Sequence, residues 1–241
     1  MSQHKFVNRI EEMKIMEDAY STRGSSLFVL YGRRRVGKTE LISKFIGDRG
    51  VYFLATSEGD RENINSFKAI TSKFLADDSI LKANFEDWYS FFSVLVSSSS
   101  FQAKAKRSKI IIAIDEFPYL IQANRAIPSV FQKIYDSLLG QMNVMLVLSG
   151  SSISMMENEV LSYRSPLYGR RTGQLQLNPL KFRHLAEFVG YGFEDLCRTY
   201  FVFRSTRQYR SPRCPYLSFQ SHSCPTIWKL CRMICPVFLP L

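Results

Sequence analysis

Short apolar runs alternate with segments of helical spacing along most of the chain. Apolar residues repeat every three or four positions between these runs, which favours amphipathic helices. The apolar runs predict strands at 26–31, 51–55, 110–114, 144–148 and 173–177. The helical segments are 10–20, 39–46, 63–75, 85–96, 128–139, 153–161 and 182–189, with a break at 97–100. Wholly apolar strands separated by helices are typical of a parallel sheet covered on both faces, so we predict an α/β fold.

Composition agrees with a globular chain and excludes two classes. Apolar residues make up 46% and charged residues 22% of the 241 residues, which excludes a disordered or collagen-like chain. No apolar stretch approaches the roughly 18 residues that a transmembrane helix needs. The start, MSQHKFVNRIEE, has no apolar signal core, so we expect a cytoplasmic protein that does not bind membranes.

The net charge of +11 is unevenly distributed. Asp195 is the last acidic residue, and positions 196–241 contain seven bases and all five cysteines. The preceding part is only mildly basic, so the overall charge is poor evidence for nucleic-acid binding. Without a secretion signal we expect the cysteines to be reduced thiols.

A phosphate-binding motif follows the first predicted strand. Its residues are Gly32, Arg33, Arg34, Arg35, Val36, Gly37, Lys38 and Thr39, which match G-x-x-x-x-G-K-T between a strand and a helix. The glycines let backbone N–H groups point inward, and the start of the following helix adds positive potential. We expect Lys38 to reach the β- and γ-phosphates and Thr39 to bind Mg²⁺. The three arginines either face solvent or place one side chain over the nucleotide.

Two acids follow the third predicted strand. Asp115 and Glu116 come directly after IIIAI and therefore emerge at the carboxyl edge of the sheet, where open α/β sheets bind ligands. We expect Asp115 to hold Mg²⁺ through water and Glu116 to activate the attacking water. An acid directly after the metal-site Asp favours hydrolysis over transfer to a bound acceptor.

Weaker candidates follow the fourth strand. Ser149 and Ser151 would lie beside the two acids and sense the γ-phosphate, or Ser151 or Ser152 simply caps the next helix. Further on, Arg170 and Arg171 lie between two glycines and either supply a cation to the transferring phosphate or form a solvated turn.

These motifs together resemble the archaeal ATPase family of P-loop proteins, related to the STAND and AAA+ branches. The matching segments are FVNRIEE, YGRRRVGKTELI, IIIAIDEFPYLI, LVLSGSSISMM and SPLYGRRTGQLQLNPL, within roughly residues 5–203. The resemblance implies the sheet order 5-1-4-3-2, ATP and Mg²⁺ as ligands, and ATP hydrolysis. It carries over the roles of Gly32, Gly37, Lys38, Thr39, Asp115 and Glu116, and the cation role of Arg170 and Arg171. The arm before the first helix either covers the adenine or is an ordinary helix start.

The domain prediction is an ATPase domain over 1–180, the start of a helical lid over 181–203, and an atypical tail over 204–241. The tail has no periodic apolar face and no acids, so we expect disorder there, consistent with a shifted reading frame. The function that follows is an ATPase used as a switch or motor, with DNA or an effector protein as partner. The alternatives are an ATP-dependent nucleic-acid-binding module, an inactive fragment, and a GTPase, which the missing N-K-x-D motif disfavours.

Overall fold

Five parallel strands form a single sheet in the computed structural model, which describes residues 9–179. The strands are β1 (Ser26–Tyr31), β2 (Gly50–Leu54), β3 (Ile110–Asp115), β4 (Val144–Gly150) and β5 (Gly173–Gln176). Their order is β2-β3-β4-β1-β5, which is the predicted 5-1-4-3-2 read from the other edge. Every pair is parallel, with Leu30 opposite Ser149 and Ile114 opposite Leu148. The predicted α/β class and sheet order are therefore confirmed.

Nine α-helices connect or flank these strands in residues 9–179. They are α1 (Ile10–Ser21), α2 (Lys38–Ile46), α3 (Asp60–Leu75), α4 (Ser79–Lys82), α5 (Trp88–Ser97), α6 (Ser99–Arg107), α7 (Phe117–Ala123), α8 (Ile127–Ile134) and α9 (Ile153–Met155). π-Helical segments Tyr135–Leu139 and Met156–Leu161 continue α8 and α9, and a 3₁₀ turn spans Tyr168–Arg170.

The prediction of a break at 97–100 is wrong in part, because a new helix begins there. The Ser98 side chain accepts a hydrogen bond from the Phe101 N–H and so caps α6. Asp87 caps the preceding helix by accepting from Ser90, which explains why α5 begins at Trp88 rather than at 85. Serine and aspartate at these positions satisfy free N–H groups of the first turn. Helices α4 and α7 also lie where the apolar pattern predicts no helix.

Helices cover both faces of the sheet. Val29, Phe53 and Ile112 belong to one large apolar cluster that also contains Phe67 and Trp88 from α3 and α5. The opposite face, which carries Phe28 and Met145, is covered by α1 and α2. This two-sided burial leaves the carboxyl edge of the sheet as the place where polar side chains collect.

Residues 9–178 form one compact unit. The predicted helix at 182–189, lid start at 181–203 and tail at 204–241 lie outside the described residues, and the domain boundaries stay a prediction. No helix within residues 9–179 is long and apolar enough to cross a membrane.

Candidate nucleotide site

The phosphate loop closes around its own lysine. Lys38 begins α2 directly after β1 and the loop, and its Nζ donates to the carbonyl oxygens of Gly32 and Arg33, both at 3.0 Å. Burial lowers the pKa of Lys38, an effect that the charges of Glu116 and Asp115 oppose. The ammonium group therefore lies inside the loop, where two of the loop's own carbonyl oxygens hold it.

Two glycines allow this loop geometry. A Cβ on Gly32 would lie 2.3 Å from the carbonyl oxygen of Leu177, which approaches after β5, so a larger residue cannot fit there. Gly37 has a φ of 90°, in the left-handed region that glycine adopts without steric cost. Gly37 precedes the first residue of α2, so the loop ends at a helix start with free N–H groups.

A hydrogen bond joins the loop helix to the third strand. Thr39 Oγ1 donates to Asp115 Oδ2 at 2.7 Å, so the two predicted metal-site residues are in contact. Asp115 Oδ1 accepts from the backbone N–H of Glu116 at 3.0 Å, and the Asp115 residue is 1% exposed. Thr39 and Asp115 therefore present a hydroxyl and a carboxylate at one point, at the carboxyl edge of the sheet.

Tyr52 also contacts Asp115, and the sequence analysis did not find it. Its hydroxyl donates to Asp115 Oδ2 at 2.9 Å, from the neighbouring edge strand β2. Burial, followed by the negative charge of Asp115, raises the pKa of Tyr52, so the phenol keeps its proton and remains a donor. No motif marks a tyrosine inside an apolar strand, and only the register of β2 against β3 brings it to the carboxylate.

Glu116 is turned toward the end of β4. Its Oε2 accepts from the Ser151 hydroxyl at 2.7 Å and from the Ser151 N–H at 3.3 Å. The backbone of Glu116 has a φ of 53°, which costs energy for a residue with a Cβ, and such strain often occurs at functional sites. The structure thus brings Ser151 to the acid. Ser152 occupies the position before α9 but makes no capping hydrogen bond with its side chain.

Ser149 is the other polar residue of this strand end. It is 0% exposed, and its Oγ is the one buried side-chain oxygen or nitrogen in residues 9–179 without a hydrogen-bond partner. Because Ile114 pairs with Leu148, Ser149 and Asp115 occupy the next positions and share a face of the sheet. The Ser149 hydroxyl next to Asp115 lacks a hydrogen-bond partner, which a polar ligand bound at this edge of the sheet would supply.

The donor set suits Mg²⁺ bound together with phosphates. Mg²⁺ prefers oxygen ligands and usually keeps several waters, with only one or two protein side chains in contact. Thr39 and Asp115 supply such oxygens, and Ser149 supplies an unused hydroxyl nearby. Residues 9–179 contain no group of three or more His, Cys, Asp and Glu residues that would hold a metal without a ligand's help. The site therefore fits a cation that arrives with a nucleotide.

The three loop arginines are exposed. Arg34 donates from Nη2 to the Tyr119 hydroxyl at 3.2 Å, which attaches the loop to α7 after the acid pair. Arg35 has a φ of 67°, a left-handed conformation within the loop. Val36 is half-buried and its carbonyl accepts from Arg9.

Arg170 and Arg171 precede β5, and the charge of Arg171 lowers the pKa of Tyr31 at the end of β1, against the larger raising effect of burial. Thr172 pairs with Leu27 near the start of β1, about 13 Å of strand before the phosphate loop. The guanidinium of Arg170 forms a two-pronged ion pair with Asp136, with Nη2 2.8 Å from Oδ2. Arg171 lies over the ring of Tyr168, 5.5 Å from its centroid. Both arginines precede β5 at the amino edge, whereas Lys38 and Asp115 lie at the carboxyl edge.

The fold and the site together define a P-loop nucleotide-binding protein. The chain belongs to the family described as "ATPase domain predominantly from Archaea", whose model matches residues 6–201. An uncharacterized Methanocaldococcus jannaschii protein, MJECL04, is 44% identical over 201 residues, which are 79% of this chain and 42% of that protein. The chain therefore spans less than half the length of this relative. A second M. jannaschii protein is described as an uncharacterized ATP-binding protein. It is 48% identical over 46 residues, which are 19% of this chain and 78% of that protein.

Two solved structures share the fold. The Walker-type ATPase PABY2304 of Pyrococcus abyssi has a TM-score of 0.58 at 24% identity, covering 80% of this chain and 59% of that one. The ORC2 protein of Aeropyrum pernix, solved in ADPNP–ADP complexes, has a TM-score of 0.59 at 15% identity, covering 82% of this chain and 54% of that one. The predicted family and fold are confirmed by these matches, and the chain is an ATPase-family domain of P-loop architecture.

Proposed function

We propose that the protein binds ATP with Mg²⁺ and hydrolyses it, and that nucleotide state acts as a switch or motor for an effector. The observation that carries the proposal is the Thr39–Asp115 hydrogen bond, which joins the phosphate loop to the strand that ends in Asp115 and Glu116. Membership in the ATPase family and the likeness to P-loop ATPases support the nucleotide. DNA or a partner protein as effector stays a proposal.

Each group has a role that its position supports. The loop N–H groups and Lys38 hold the phosphates, and Thr39 with Asp115 holds Mg²⁺, which when bound neutralises phosphate charge. Glu116 accepts a proton from the attacking water after its carboxylate leaves Ser151. Ser149 offers its free hydroxyl to the phosphate or to a bound water. Arg170 and Arg171 precede β5, and we propose that they act on a nucleotide held by a second copy of the chain.

Loss of the loop cation tests the binding step. We expect Lys38→Ala to abolish measurable Mg·ATP binding in calorimetric titration while the circular dichroism spectrum stays that of the parent. Lys68→Ala is the matched control, because Lys68 is also buried and donates to a backbone carbonyl, that of Ala83. The assignment is wrong if Lys38→Ala binds Mg·ATP as tightly as the parent.

Conversion of the proposed base to an amide tests the chemical step. We expect Glu116→Gln to keep ATP affinity and lose phosphate release by a factor of about 10² or more, since an amide cannot accept the proton. Glu157→Gln is the control, because Glu157 is an exposed acid outside the loop and the acid pair. Turnover by Glu116→Gln at the parent rate would remove Glu116 from the mechanism and leave ATP binding intact.

A further inference from the structure

The guanidinium of Arg9 connects three segments at the phosphate loop. Nη2 donates to the carbonyl oxygen of Val36 at 2.8 Å and to that of Asn178 at 2.9 Å, and Nη1 bonds Glu12 at 2.6 Å. Arg9 is only 7% exposed, so these contacts exclude most water. Arg9, which precedes α1, is therefore hydrogen-bonded both to the phosphate loop and to the segment that follows β5.

The acceptor in the loop determines where the next amide points. In a trans peptide the carbonyl and the following N–H lie on opposite sides of the bond, and residues 9–179 contain no cis peptide. When Arg9 holds the Val36 carbonyl, the Gly37 N–H is directed away from Arg9. Gly37 belongs to the part of the motif whose amides cradle phosphates. The contact with Arg9 thus fixes the orientation of the Val36–Gly37 peptide plane.

The loop needs such support from outside. Arg35 and Gly37 have φ values of 67° and 90°, so Val36 lies between two residues in the left-handed region. The non-glycine residue of this pair costs energy in that conformation, which persists only where the surroundings fix it. Lys38 holds the carbonyls of Gly32 and Arg33 at the other end of the loop. Arg9 is the side chain that holds the loop at Val36.

We propose that Arg9 is a positioning residue that sets the Val36–Gly37 peptide so that its amide faces the phosphates. This inference rests on the proposed nucleotide binding and adds a residue that acts through the loop backbone. Both terminal nitrogens of Arg9 donate to protein oxygens, those of Val36, Asn178 and Glu12. Arg9 therefore acts on the phosphates through the backbone of the loop.

Binding of three probes to Arg9 variants distinguishes an effect on phosphate binding from an effect on binding of the base. Mg·ATP carries both base and phosphates, Mg·tripolyphosphate carries phosphates alone, and adenosine carries the base alone. We expect Arg9→Ala to lower affinity for Mg·ATP and Mg·tripolyphosphate by about tenfold, since a charge-assisted hydrogen bond positions the amide, and to leave adenosine unchanged. Arg9→Lys should lose affinity in the same pattern, because a shorter side chain with one nitrogen cannot reproduce the contacts that Nη1 and Nη2 make with Glu12 and with both carbonyls.

Arg49→Ala is the matched control. Arg49 likewise bridges a carboxylate and a backbone carbonyl, those of Glu17 and Phe45, but it precedes β2 at the amino edge. Melting temperatures of the ligand-free variants show whether folding is intact, and Arg9→Lys serves if Arg9→Ala unfolds. The proposal is overturned if the Arg9 variants lose adenosine but keep tripolyphosphate, or if Arg49→Ala produces the same losses. A parent chain that binds none of the probes would instead refute nucleotide binding itself.

Discussion

The carboxylate of Asp115 is held by three hydrogen bonds that come from three segments of the chain. Oδ2 accepts from Thr39 and Tyr52, and Oδ1 accepts from the Glu116 amide. Metal-site carboxylates generally depend on such supporting contacts for their orientation. Of these donors, only Tyr52 has no direct role in the phosphate loop or at the acid pair, so it can be changed separately.

Removal of the Tyr52 hydroxyl tests its support of Asp115. We expect Tyr52→Phe to raise the Mg²⁺ concentration that half-saturates ATP turnover by about tenfold, with the rate at saturating Mg²⁺ near that of the parent. Tyr20→Phe is the matched control, since its hydroxyl donates to the Lys109 carbonyl at 3.0 Å, near the amino end of β3. An unchanged Mg²⁺ dependence in Tyr52→Phe would show that Thr39 and the Glu116 amide position Asp115 by themselves.

At the scale of elements, aromatic rings bind the helices to the sheet. Phe67 of α3 is stacked on Phe53 of β2 with ring centroids 5.0 Å apart, and it lies 6.1 Å from Trp88 of α5. The indole N–H of Trp88 donates to Asp60 Oδ1 at 3.1 Å. Asp60 Oδ2 accepts from Asn124 at 2.7 Å, after the end of α7. Asp60 therefore joins α3, α5 and α7 at the point where α3 begins.

Loss of the Asp60 carboxylate should destabilise this junction. We expect Asp60→Ala to lower the free energy of unfolding by about 1–3 kcal/mol, because the buried Trp88 N–H and the half-buried Asn124 amide lose their acceptor. Urea denaturation followed by circular dichroism measures the change. Glu62→Ala is the control, as Glu62 is an exposed acid in the same first turn of α3 and should change stability by no more than about 0.5 kcal/mol. Equal losses in both variants would mean that helix charge, and not the junction, sets the effect.

The elements that sequence predicted well are those in which one local pattern suffices. Apolar strands such as 110–114 and the G-x-x-x-x-G-K-T motif carry their signal within a few adjacent residues. Helix α6 was missed because its serine cap looks like a break, and α7 because two acids and a proline mask its start. In each of these cases the local signal was present but pointed to a turn as well as to a helix.

Side-chain contacts between residues far apart in the chain could not be predicted from the sequence. Arg9 and Asn178 are 169 residues apart, and Tyr52 and Asp115 are 63 apart, with no shared motif. The sequence predicts that Ser151 and Glu116 lie at the same edge of the sheet, because both follow strands. It does not predict their hydrogen bond, because the direction of the Glu116 side chain depends on its left-handed backbone. Packing of the sheet, rather than any local preference, makes these pairs.

At the scale of the whole molecule, the positions of the two arginines before β5 bear on which copy of the chain they act on. Arg170 and Arg171 lie at the amino edge of the sheet, whereas the phosphate loop lies at the carboxyl edge. Arg170 is paired with Asp136, whereas the charge of Arg171 acts on the hydroxyl of Tyr31, the last residue of β1. We propose that a cation role in phosphoryl transfer uses a second copy whose arginines approach the first copy's loop, as an arginine supplied in trans does in other P-loop enzymes.

Mixing of two inactive variants tests this arrangement. Arg170→Ala/Arg171→Ala keeps an intact loop without the cations, and Lys38→Ala keeps the cations without a working loop. We expect each alone to be reduced by about 10³-fold, and an equimolar mixture to recover phosphate release, because a mixed pair contains one complete site. Asp136→Ala is the control, since it breaks the ion pair with Arg170 but retains both arginines and should stay active. If the mixture releases no more phosphate than the two variants measured apart, the arginines do not act across copies. If Asp136→Ala is as inactive as the double variant, the ion pair serves folding and not chemistry.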